Sequence, residues 1–126
     1  EIGTRVIVEP LNPAIRENAM LTTSDETIDL LNEIGHPNLG LEYDAFHMHV
    51  TEGNMAETVL KYLPHIGNIQ IADVPGRHEP GTGSIDYDAF LGALDKMGYS
   101  NWVACEYTPV GSTIDGLGWL QKWLEA

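Results

Sequence analysis

Basic residues are scarce in this chain: its 126 residues include six Lys and Arg against 19 Asp and Glu. The formal net charge of -13 at pH 7 argues against a nucleic-acid partner, because phosphate binding depends largely on clustered Lys and Arg. Long apolar runs are also missing, since none approaches the roughly 20 residues that span a bilayer. A signal-peptide pattern is absent as well. We therefore expect neither a nucleic-acid nor a membrane partner.

Cysteine occurs once, at Cys105, so a disulfide within the chain is excluded. A single thiol is typical of proteins in a reducing compartment, and we expect a cytoplasmic location. The residues around Cys105 have a strand pattern, which predicts a buried, inert thiol rather than a nucleophile. The first residue is Glu1 rather than methionine, which is compatible with a missing upstream portion.

Hydrophobic residues make up 43% of the chain and charged residues 20%, a composition typical of one modest globular domain. Strand patterns alternate with helix patterns four times along the chain. The predicted strands cover 5–9, 39–47, 68–72 and 102–107. Alternation of this kind predicts a parallel sheet with crossover helices, which is an α/β fold.

Capping residues mark where the predicted helices begin and end. Thr23 and Glu26 form a capping box before the first helix, which Gly35 ends. Asn54 is the predicted cap of the second helix and Asp86 that of the third. The last helix is predicted to begin at residue 112 and to bury four apolar side chains, those of Ile114, Leu117, Leu120 and Leu124.

A polar side chain lies at the C-terminal end of each predicted strand: Glu9, Asp44, Gln70 and Glu106. In parallel α/β folds the strand ends and the loops after them converge at this edge of the sheet, where the site lies. Three carboxylates that point together repel one another unless a cation or a shared proton lies among them. The alternative is that the four residues are unrelated polar groups on the surface.

The segment from 68 to 87 continues from a strand into a loop with two turn-forming pairs, Pro75-Gly76 and Pro80-Gly81. Arg77, one of the few basic residues, lies between these pairs. A guanidinium in a rigid loop after a strand is suited to binding an anionic or polyhydroxylated ligand. The alternative interpretation is a surface loop in which Arg77 offsets nearby carboxylates.

Four stretches of the sequence resemble the hydroxypyruvate isomerase family, whose barrels are similar to xylose isomerase, the ketose 3-epimerases and endonuclease IV. The matching stretches are Val-Glu-Pro-Leu-Asn at 8–12, Tyr-Asp-Ala-Phe-His-Met at 43–48, the segment 64–83, and Glu-Tyr at 106–107. The resemblance covers essentially the whole chain, and its most specific part is 70–83. It implies that residues 1–126 are a single half-barrel of four βα units. This unit corresponds to strands five to eight, the C-terminal half of a (β/α)8 TIM barrel of about 250 residues.

The resemblance also implies roles for individual residues. Glu9 and Glu106 would be the catalytic acid/base pair, and His47 would contact substrate oxygens. Arg77 would close over the substrate carboxylate. The ligands of a divalent cation, Mg²⁺ or Mn²⁺, would be Glu9, Asp44, Gln70 and Glu106. The chain departs from the related epimerases at Gln70, where those proteins have histidine.

The implied activity is the interconversion of hydroxypyruvate and tartronate semialdehyde through an enediolate, which makes the protein an intramolecular oxidoreductase. A ketose 3-epimerase and a 2-oxo-tetronate isomerase are close alternatives. An inactive half-barrel fragment is a third, and a zinc phosphodiesterase like endonuclease IV is disfavoured by the acidic charge. The edges and inner face of a half-barrel would be exposed, so we expect a homo-oligomer or a missing N-terminal half-barrel to cover them.

Overall fold

The computed structural model describes residues 3–124 and contains one parallel sheet of four strands in the order β1-β2-β3-β4. The strands are β1 (Val6–Val8), β2 (Leu39–Asp44), β3 (Ile66–Ile71) and β4 (Val103–Cys105). Every neighbouring pair runs parallel. The predicted α/β architecture, four strands joined by crossover segments, is therefore confirmed, although β1 and β4 are shorter than predicted.

Within residues 3–124, five α-helices follow or connect the strands: α1 (Ser24–Ile34), α2 (Ala45–Thr51), α3 (Met55–Tyr62), α4 (Tyr87–Met97) and α5 (Gln121–Leu124). The same part of the chain also forms two 3₁₀ turns, Leu63–His65 and Asp115–Leu120. The capping box of Thr23 and Glu26 is present at α1, and Asp86 caps α4. Asn54 precedes α3 as predicted but makes no side-chain capping bond.

The predicted second strand, 39–47, is three residues too long. The Asp44 carboxylate accepts a hydrogen bond of 2.8 Å from the backbone N–H of Phe46, and this cap starts α2 directly after the strand. His47 therefore lies in the first turn of a helix rather than on the strand. Because α2 begins at the sheet edge, the ring of His47 lies close to the carboxylate of Asp44.

Two predictions for the C-terminal region are wrong. In place of one long amphipathic helix, the segment forms a 3₁₀ turn and the short α5, and Ile114 and Leu124 are both 79% exposed. Gly116 and Gly118 lie within this segment, and glycine is a poor helix former. Cys105 is exposed rather than buried, because it ends the three-residue β4 and the C-terminal segment leaves it uncovered.

The hydrophobic core lies between the sheet and the helices packed on its outer face. Its fully buried members include Leu41, Tyr43, Val59, Ile69 and Ile71. Alternate residues of the same strands point to the inner face, which carries Glu42, Asp44 and Gln70. The core thereby holds the strand ends in a fixed arrangement. Between residues 3 and 124, no helix combines the length and the apolar character needed to cross a bilayer.

Candidate active site

The structure brings the predicted site residues together at the carboxyl edge of the sheet. Asp44 pairs in register with Gln70, and Glu9 and Glu106 directly follow β1 and β4. Nη2 of Arg77 contacts Oδ2 of Asp44 at 3.3 Å and Oε2 of Glu106 at 2.6 Å. One guanidinium thus links the ends of two strands that are not neighbours in the sheet.

A cavity of about 330 Å³ opens above this edge. Glu9, His47, Arg77 and Glu106 line it, together with residues of the loop after β1. This volume lies in the range of small-molecule sites. Asp44, whose side chain is 1% exposed, lies beneath Arg77 rather than on the cavity wall.

His47 is held as a neutral ring with its proton on Nε2. The backbone N–H and the side-chain amide of Asn12 point at Nδ1, at 3.2 and 3.0 Å. Oδ1 of Asn12 accepts from the N–H of Ile15 at 3.2 Å, so the amide nitrogen is the atom that faces the ring. Burial, aided by the charge of Arg77, lowers the pKa of His47 to about 4. Nδ1 therefore accepts, and Nε2–H is available as a donor.

The proton on Nε2 points toward the carboxylates. Nε2 lies 3.6 Å from both Oε1 of Glu9 and Oδ2 of Asp44. Asn12, which sets this orientation, is 1% exposed and was missed by the sequence analysis. An asparagine followed by proline after a strand has the pattern of an ordinary turn, and nothing local indicates its contact with a ring 35 positions later.

Glu9 has the protonation behaviour expected of a base that works near neutral pH. Burial raises its pKa to about 7, and the negative charges of Asp44, Glu106 and Glu42 act in the same direction. Arg77 opposes this rise. Oε1 of Glu9 is buried without a hydrogen-bond partner among the described residues. A carboxyl in this state can accept or release a proton at pH 7 with little driving force.

The loop that carries Arg77 is organised around the buried carboxylate of Asp73. This carboxylate accepts backbone N–H bonds from Val74 at 2.9 Å, Gly81 at 2.9 Å and Ile85 at 3.1 Å. The backbone N–H of Arg77 donates to the carbonyl of Asp73 at 2.8 Å. The sequence analysis predicted a rigid loop but did not identify Asp73, whose partners lie up to 12 positions away.

Arg77 itself has a left-handed backbone conformation, with φ of 53°. A non-glycine residue adopts this conformation only where surrounding contacts impose it. Its guanidinium lies over the ring of Phe46, 5.0 Å from the ring centroid. The loop, the ring and the two carboxylates therefore determine where the guanidinium lies.

Gly83→Ala is expected to displace this loop. A Cβ at position 83 would clash with the backbone carbonyl of Val74 and lie 2.6 Å from Oδ1 of Asp73. Since a backbone atom cannot rotate away, we expect a loss of about 1–3 kcal/mol in the free energy of unfolding, measured in urea. The matched control is Gly92→Ala on α4, where a Cβ meets nothing within 4 Å and a small gain is expected. Equal stability of the two variants would contradict the described loop packing.

The donor atoms at this edge fit a hard divalent cation. Ligand atoms of Glu9, Asp44 and His47 lie within 4.8 Å of one another. Oε1 of Gln70 is buried without a hydrogen-bond partner among the described residues, as is Oε1 of Glu9. Carboxylate and amide oxygens are the ligands preferred by Mg²⁺ and Mn²⁺. Because His47 carries its proton on Nε2, the oxygens are better placed than the ring to hold such an ion.

The fold and the site together define half of a parallel βα barrel with an acidic cluster at the carboxyl edge of its sheet. The family described as xylose isomerase-like TIM barrel matches residues 1–123. The chain belongs to this family, and the resemblance predicted from the sequence is confirmed.

Named relatives match nearly all of the chain. The 2-oxo-tetronate isomerase of Pectobacterium atrosepticum is 39% identical over 123 residues, which are 98% of this chain and 47% of that protein. The hydroxypyruvate isomerase of Escherichia coli is 36% identical over 118 residues, 94% of this chain and 46% of that protein. A crystal structure described as AP endonuclease, family 2 from Brucella melitensis matches with a TM-score of 0.90 at 33% identity. The match covers 94% of this chain and 46% of that one. The chain thus spans about half the length of the relatives it matches.

Proposed function

We propose that the chain forms the catalytic half of an isomerase that interconverts hydroxypyruvate and tartronate semialdehyde, or a related small 2-oxo acid. The observation that carries this proposal is the arrangement of Glu9 and Glu106 at one cavity, with the Arg77 guanidinium against Glu106. Moving a carbonyl to the neighbouring carbon needs a proton acceptor, a proton donor and a charge that stabilises the oxyanion. The names of the two isomerase relatives support the same reaction class.

In the proposed reaction, one carboxylate removes a proton from C3 of hydroxypyruvate and the electron pair forms the C2–C3 double bond of an enediolate. A proton is then returned to C2, and the hydroxyl proton moves from O3 to O2. Glu9 and Glu106 carry out the two transfers at carbon. The raised pKa of Glu9, about 7, suits it to this exchange at neutral pH.

Two other side chains of the cavity, His47 and Arg77, act on the oxygens of the substrate. His47 donates from Nε2–H to a substrate oxygen, and Arg77 stabilises the negative charge that develops on the enediolate. A divalent cation, if bound by Glu9, Asp44, Gln70 and Glu106, would supply further stabilisation of that charge. We propose Mg²⁺ or Mn²⁺ for this role because the donors are oxygens.

Other substrates are alternatives to hydroxypyruvate, and two alternatives lie outside the isomerases. A 2-oxo-tetronate carries the same 2-oxo acid group, and a ketose 3-epimerase would use the same pair of carboxylates on a neutral sugar. The name of the Brucella structure, AP endonuclease, indicates a nuclease as an alternative function. A formal charge of -13 disfavours that reading, because a phosphate backbone would be repelled. An inactive half-barrel is the remaining alternative.

We also propose that a second half-barrel covers the open sheet. Among residues 3–124, β1 pairs only with β2 and β4 only with β3, and Val6 and Trp102 at these edges are 55% and 83% exposed. Exposed apolar edges of this kind promote pairing with another strand. The second half would come from another copy of the chain or from another segment, and we expect the assembly to act in the cytoplasm.

The test is turnover of hydroxypyruvate in D₂O by protein separated by size. We expect solvent deuterium at C2 of the product, because the returned proton comes from a carboxylate that exchanges with solvent. Activity in the dimer-sized fraction would favour two copies. A folded dimer that neither turns over hydroxypyruvate nor exchanges its C3 protons would contradict the proposed function for this chain, whereas an inactive monomer would direct the same assay to a longer protein.

A further inference from the structure

The cavity is lined by two guanidiniums whose surroundings differ. Arg77 contacts both Asp44 and Glu106 and lies over the ring of Phe46. Arg16, from the loop after β1, lines the same cavity but forms no ion pair or side-chain hydrogen bond with any residue from 3 to 124. The chain has only six basic residues, so two of them at one cavity is a local concentration of positive charge.

The backbone at Arg16 is held in place by the site itself. The carbonyl of Asn12 accepts from the N–H of Ile15 at 3.2 Å and from that of Arg16 at 3.1 Å, which forms a turn. Asn12 is 1% exposed and bonds to Nδ1 of His47. The turn that presents Arg16 is thereby connected to the ring that faces the carboxylates.

The negative charge around the cavity makes Arg77 alone insufficient to bind an anionic substrate. Glu9, Asp44 and Glu106 place up to three negative charges around a single guanidinium that already contacts two of them. A substrate carboxylate would add a further negative charge. To bind the substrate carboxylate, Arg77 would have to leave Asp44. The buried Asp44 carboxylate would then have no cation beside it, which is unfavourable. A second cationic side chain is therefore better suited than Arg77 to bind the carboxylate of an anionic substrate, and Arg16 lines the same cavity.

We propose that Arg16 binds the carboxylate of the substrate and so selects small 2-oxo and hydroxy acids over neutral sugars. Arg77, which the family resemblance implied would close over the substrate carboxylate, then stays against Asp44 and Glu106. Arginine suits this role, since its planar donors match a carboxylate in a two-point contact. The inference rests on the proposed function, for which it names the substrate class and the residue that determines it.

The experiment measures binding of D-glycerate, a hydroxy acid without the reactive ketone, by calorimetry. Arg16→Gln is expected to weaken binding about 10-fold or more, because a hydrogen bond to a charged partner is worth about 1.5–3 kcal/mol. Arg16→Lys, which keeps the charge, should recover part of the affinity. The matched control is Lys96→Gln, which removes the same charge from the last turn of α4, and it should change affinity by less than about twofold.

The outcomes separate this inference from the proposed function. Unchanged affinity in Arg16→Gln, or no binding of D-glycerate by the unaltered protein, would overturn the inference. Binding that depends on Arg16 in a folded dimer that neither turns over hydroxypyruvate nor exchanges its C3 protons would retain the inference and contradict the isomerase proposal. If turnover occurs, Arg16→Gln should raise KM for hydroxypyruvate with kcat nearly unchanged, and thermal unfolding should match that of the unaltered protein because Arg16 is exposed.

Discussion

Glu106→Gln is expected to lower kcat for hydroxypyruvate by about 1,000-fold, because positioned acid/base groups typically contribute 10²- to 10⁴-fold. Glutamine keeps the shape of the side chain and one oxygen for Arg77 but cannot carry the proton. The side chain is 48% exposed, so little change in stability is expected. The measurement is kcat together with deuterium incorporation from D₂O.

The control for this prediction is Glu33→Gln on the exposed face of α1, which removes an equal charge far from the cavity and should leave kcat within about twofold. If Glu106→Gln retains more than a tenth of kcat while Glu33→Gln is normal, the assignment of Glu106 to proton transfer is wrong. Loss of incorporation at C2 with C3 exchange retained would place Glu106 on the reprotonation step.

Arg77→Gln is expected to lower kcat/KM by about 100- to 1,000-fold, the usual cost of removing one group that stabilises an oxyanion. The same change removes the cation that lies against Asp44 and Glu106. The backbone contacts of the loop, centred on Asp73, do not involve the guanidinium, so the loop should keep its shape. Lys96→Gln again serves as the charge-matched control.

The pH profile distinguishes loss of charge at Arg77 from a general loss of structure. In the unaltered protein, kcat/KM should fall as pH drops through about 7, because protonated Glu9 cannot accept a proton. The positive charge of Arg77 lowers the pKa of Glu9, so its removal should raise that pKa and move the midpoint to higher pH. A midpoint that stays near 7 or moves down would contradict the described electrostatics.

Local patterns in the sequence were sufficient to predict the parallel α/β sheet and the positions of most candidate site residues. Alternating strand and helix patterns predicted the parallel sheet, and the capping residues Thr23 and Asp86 marked α1 and α4 correctly. Residues at the strand ends, such as Glu9 and Asp44, were predicted to converge because parallel strands end at one edge. The errors lie where two local signals compete. At Asp44, a strand pattern meets a helix cap, and the capping bond ends β2 before His47.

The sequence by itself determined the order of the elements, the edge at which the polar residues gather and the family to which the chain belongs. The order of the elements and the edge of the sheet depend on hydrophobic periodicity and on caps, which act between residues a few positions apart. The family was predicted from the resemblance of particular stretches, above all 70–83. Only the tertiary structure decided the proton position on His47 and the pairing of Arg77 with Asp44, whose partners lie 35 and 33 positions apart. Such contacts, like the burial that raises the pKa of Glu9, arise only when folding brings distant segments together and excludes water from them.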